Sequence, residues 1–84
     1  MANELVAYNG ADSIRLMDSE CTNETVLKHL EPDTRPEFRA AAAMLQGKSF
    51  TACWRAIPSA AHLVYEDGDQ GIIPVSTLKQ TVGI

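Results

Sequence analysis

The chain has 84 residues, 45% of them apolar and 21% charged, with a net charge of −4. That composition excludes a disordered or low-complexity chain, and the length bounds the protein to one domain, residues 1–84. No apolar run reaches the ~20 residues of a membrane span, and MANELVAYNG lacks the basic start and apolar core of a signal peptide, so a soluble cytoplasmic protein with no membrane partner is expected.

Glu4–Asn9 and Ser13–Asp18 alternate around Gly10-Ala11-Asp12, which predicts an N-terminal hairpin; Ile14–Met17 also fits the start of a helix. Asn23–Leu30 predicts a short helix with Thr22 or Asn23 as its cap, a stripe of Val26, Leu27 and Leu30, and Pro32 beyond its end. Pro36–Gln46 predicts a second helix, because Phe38, Ala41, Ala42 and Leu45 follow the spacing i, i+3, i+4, i+7 and Gly47 follows.

The last third reads as a meander of three strands. In Ser49–Ile57, Phe50, Ala52, Trp54 and Ala56 share a face, and in Ala61–Glu66 so do Ala61, Leu63 and Tyr65. A loop over Ile57–Ala60 sets Ala56 opposite Ala61, Trp54 opposite Leu63 and Ala52 opposite Tyr65. Taking Asp67–Gln70 as the next turn pairs Tyr65 with Ile72 and Val64 with Ile73, and Pro74 makes the third strand an edge or ends it there. Ser76–Gln80 then forms a turn or helical tail with Leu78 folded back. The expected fold class is α+β: a small antiparallel sheet, the meander plus the N-terminal hairpin, packed against one or two helices. The Trp54 face is expected under the alanine-rich helix. The other face carries Cys53, Val64, Ile73 and Val75, and needs the N-terminal hairpin or a partner to cover it.

Chemistry-bearing motifs are scarce. Glu66, Asp67 and Asp69 cluster at a turn, but their spacing does not match a calcium loop, and the plain reading is a solvated acidic tip. Cys21 and Cys53 have no CxxC or His at metal spacing and are expected to be reduced, Cys53 as a small core residue. No phosphate loop, zinc spacing or Ser-His-Asp arrangement is present, so no catalytic residue, metal or cofactor is expected. Residues 1–33 carry a balance of −5 and residues 34–84 a balance of +1, which makes general phosphate-backbone binding unfavourable.

Ala52-Cys53-Trp54, Tyr65-Glu66-Asp67-Gly68-Asp69, Ile72-Ile73-Pro74-Val75 and Leu78-Lys79 together resemble strands and turn of a Tudor or SH3-like barrel. The stretch between Trp54 and Leu63 is shorter than that family's first hairpin, so the resemblance implies a barrel half without the aromatic cage for a methylated side chain. The CW…YEDGDQG…P…LK pattern also resembles small uncharacterised proteins of phages and bacterial mobile elements, which implies action by binding a host or phage protein.

The function expected is that of a small non-catalytic binding protein, acting on a protein partner or as a homodimer. Its candidate binding residues are Tyr65, Glu66, Asp67 and Asp69 at the turn, and Val64, Ile73 and Val75 on the second face. The alternatives are a nucleic-acid-associated module using Arg35, Arg39, Lys48 and Arg55, and a thiol enzyme using Cys53.

Overall fold

The computed structural model describes residues 3–82. Seven antiparallel strands form one sheet: β1 (Asn3–Asn9), β2 (Asp12–Glu20), β3 (Arg39–Leu45), β4 (Lys48–Ile57), β5 (Ala60–Tyr65), β6 (Gln70–Pro74) and β7 (Lys79–Val82). Their order in the sheet is β6-β5-β4-β3-β2-β1-β7. The one α-helix among the described residues, α1, spans Glu24–Leu27. The fold is therefore mostly sheet, and the α+β expectation is corrected.

The correction comes from the alanine-rich segment. Residues 35–37 make a single 3-10 turn at Pro36, and Arg39–Leu45 is a central strand rather than a helix. Ala41 pairs with Ala52 on one side and with Leu16 on the other. Alanine favours helix only by a few tenths of a kcal/mol per residue, a preference that ladders on both flanks override. Gln46 and Gly47, both at positive φ, are the two-residue turn that returns the chain into β4.

The β4–β5 register is the one the alternation predicts, with Trp54 opposite Leu63, although the turn is Pro58-Ser59 alone. The β5–β6 register differs by three positions, since Ala61 pairs with Ile73 and His62 with Ile72. An odd slip exchanges faces. Ile73 thus joins the inner core, and Ile72 stands exposed on the outside.

Among the described residues no helix lies over the Trp54 face; the sheet curls onto itself instead. Leu16, Ala41, Ala52, Ala61 and Leu63 form the inner core, with Leu5, Ile14, Ile73 and Leu78 packed against it. In a flat sheet, β1 and β6 would lie five spacings, about 24 Å, apart; here Ala7 and Ile73 line one cavity. The small alanine side chains of β3 and β4 suit this tight inner curve. The Trp54 indole N–H donates to the Met17 carbonyl at 2.9 Å, where an irregularity between Leu16 and Glu20 interrupts the β2–β3 ladder.

The N-terminal hairpin forms as expected but extends the sheet instead of covering it. The outer face of β4 and β5, around Cys53 and Val64, is covered by the 21–38 segment, a loop whose ends meet through Cys21 N–H donating to the Phe38 carbonyl at 3.2 Å. Val26, Leu30 and Phe38 pack from it onto Cys53 and Val64. A disulfide joins Cys21 to Cys53, which corrects the expectation of two reduced thiols. The segment's turn of α1 is shorter than the predicted Asn23–Leu30 helix, but its cap is Asn23, whose Oδ1 accepts from Val26 N–H.

Candidate functional site

In an up-and-down meander, alternate hairpin turns gather at one end. Here the β1–β2, β3–β4 and β5–β6 turns rim one end of the curled sheet, and Asp12 bridges two of them by accepting from Gln46 N–H at 2.9 Å. Inside this rim, Leu45, Phe50 and Tyr65 stand on the inner side of β3, β4 and β5, above the layer of Ala41, Ala52 and Leu63. Phe50 lies beyond the last residue of β5, so only Ala43 of β3 stands opposite it, and Phe50 is 41% exposed.

Two open cavities meet at Leu45. One, of about 320 Å³, is lined by Phe50, Tyr65, Glu66, Asp67 and Asp69 beside it. The other, of about 420 Å³, runs along the seam between β1–β2 and β6, lined by Tyr8, Asp12, Ile14 and Ile73 among others. The floor is apolar and the rim acidic. Burial raises the Tyr65 phenol above its ordinary 10.0, and the Asp67 and Asp69 carboxylates raise it further.

The acidic turn is held in shape from outside. Gly68, at φ 88°, makes the turn, and the His29 ring of the 21–38 segment lies against it, only 3.3 Å from where a Cβ would stand. His29 Nε2 donates to the Glu66 carbonyl at 2.9 Å, since a carbonyl can only accept. Asn23 Nδ2 donates to Glu66 Oε2 at 3.3 Å, and Asp67 Oδ1 accepts from Asp69 N–H at 2.9 Å. These bonds leave the turn fixed and its carboxylates at the rim.

Of the residues singled out in the sequence, Tyr65, Glu66, Asp67 and Asp69 come together at this site. Ile73 lines the adjoining cavity from the inner face. Val64 is buried on the outer face beneath Phe38, and Val75 lies exposed in the 3-10 turn over residues 75–77, so the three do not form one surface. Phe50, Leu45, Tyr8 and Asp12 were not singled out. Phe50 could have been found from the short β5, which ends before reaching it; the others required the curl.

The cations of the nucleic-acid alternative are dispersed. Arg35 Nε donates to the Leu27 carbonyl, Arg39 pairs with Asp18, and Arg55 lies 3.7 Å from Glu37 and over the Phe38 ring. Lys48 and Arg55 are seven positions apart on one strand, about 23 Å. Cys53 is bonded to Cys21, so the thiol alternative loses its nucleophile. Among the described residues no group of three or more His, Cys, Asp or Glu could hold a metal, and no helix is long and apolar enough to cross a membrane. No protein-family model, curated protein or solved structure matches the chain.

Proposed function

We propose that the chain is a small non-catalytic binding protein that holds a protein partner in the groove at the hairpin tips. The observation that carries this reading is an uncovered aromatic and aliphatic floor, Phe50, Tyr65 and Leu45, at the open end of a sheet whose outer face is occupied over Cys53 and Val64 by the 21–38 loop. Exposed apolar side chains grouped in a concavity are what interfaces are built on, more than singly scattered ones. This is the mode of action implied by the resemblance to phage and mobile-element proteins. Cytoplasmic residence stays in the reading, with burial of both sulfurs' residues shielding the Cys21–Cys53 bond from thiol exchange.

Selection of displayed random peptides against the protein tests it. Recovered sequences should bind the wild type and lose binding to Phe50→Ser, whose melting temperature should stay close to wild type. Recovery of no sequence, or of sequences indifferent to Phe50→Ser, would refute the reading.

A further inference from the structure

We infer that the groove takes an extended, basic segment of a partner protein, with apolar side chains on the Phe50–Leu45–Ile73 floor and lysine or arginine side chains at its acidic ends. The inference rests on the binding-protein reading and adds the chemistry of the occupant. The groove is elongated, because two cavities of about 320 and 420 Å³ open side by side and share Leu45. That shape suits a stretch of chain better than one compact small molecule.

Charge selects the segment. Glu66, Asp67 and Asp69 line one cavity and Asp12 the other, while among the described residues no lysine or arginine lines either. No ion pair joins these four carboxylates to a base among the described residues. Lys48 sits opposite Leu45 at the β3–β4 turn, outside both linings. A long basic side chain matches the pattern, since its methylenes can lie on Leu45 and its cationic head can reach an aromatic face and a rim carboxylate. A second copy of the chain is a poorer match, because it carries a net charge of −4 and its Arg15, Arg35, Arg39 and Arg55 are each engaged within their own fold.

The probe is a short capped peptide of alternating leucine and arginine, compared with the same peptide carrying citrulline, a neutral isostere, or glutamate. Amide chemical shifts are followed on the full chain. The arginine peptide should move Leu45, Phe50, Tyr65 and Asp67–Asp69. Asp67→Asn with Asp69→Asn, which keeps the turn's acceptor, should weaken it roughly three- to tenfold, as partly exposed charge pairs do. The citrulline peptide should bind more weakly by a similar factor, and the glutamate peptide should not bind.

Equal binding of arginine and citrulline peptides in the groove would overturn the basic occupant while leaving the binding protein standing. Shifts centred on acidic residues 18–33 would overturn it as unspecific attraction. Movement of the groove signals with protein concentration alone would overturn it in favour of a second copy.

Discussion

Tyr65 shows how one side chain joins core and site. Its ring packs against the inner cluster beside Leu63, while its edge lines the acidic cavity. Both surroundings disfavour the phenolate, burial most and then the charges of Asp67 and Asp69, so the folded protein keeps the phenol neutral to a higher pH than the unfolded chain does. The resulting contribution to stability is intact below the unfolded value of 10.0 and is lost as pH climbs through the folded one. Ultraviolet titration of the wild type against Tyr65→Phe should therefore assign to Tyr65 a phenolate step above pH 10.0, with unfolding free energy declining over the same range. A step at or below that value would remove the negative field from the account.

At the scale of elements, the 21–38 segment is part of the core and not a lid over it. Val26, Leu30 and Phe38 are buried, and burying side chains of this kind stabilises by about 1.5–3 kcal/mol each. Their sum is comparable with the whole stability of a domain this size, roughly 4–12 kcal/mol. Opening the segment would therefore unfold the protein. The Cys21–Cys53 bond ties it down, and reduction, or the double change Cys21→Ser with Cys53→Ser, should cost roughly 2–4 kcal/mol. At about 4–8 °C per kcal/mol for a chain of this length, melting should fall by at least ~8 °C. An unchanged melting temperature would mean the bond closes no loop that unfolding must open.

How much of this was legible differs between elements for physical reasons. The β4–β5 register could be read because Pro58-Ser59 marks the turn and the alternation then sets Trp54 opposite Leu63 and Ala52 opposite Tyr65. The β3 strand could not. In the run Ala40–Ala43 every position is apolar, so a period of 3.6 and a period of 2 fit equally, and the choice fell to neighbours far away in sequence. The β5–β6 register failed because the turn residues Asp67 and Gly68 fix that a turn exists but not how many residues it spends. The acidic half of the candidate site was visible as a cluster at that turn. Of its apolar half only Ile73 was named, and on the other face; Leu45 meets the site only once the alanine run is a strand.

At the scale of the whole molecule, one asymmetry organises everything else: the 21–38 loop shuts the outer face over Cys53 and Val64, and the inner face opens at the hairpin tips. The strands at the two borders, β6 and β7, are joined in sequence by one 3-10 turn, and among the described residues no ladder joins them. The curl therefore depends on side-chain packing inside, with Leu63 and Leu16 at its centre. Relaxation of side-chain signals by a soluble paramagnetic chelate reads this asymmetry in one spectrum. Strong attenuation of the Phe50 ring is expected, with the methyls of Val26, Val64, Leu16 and Leu63 protected. Attenuation of Val26 and Val64, or protection of Phe50, would contradict it.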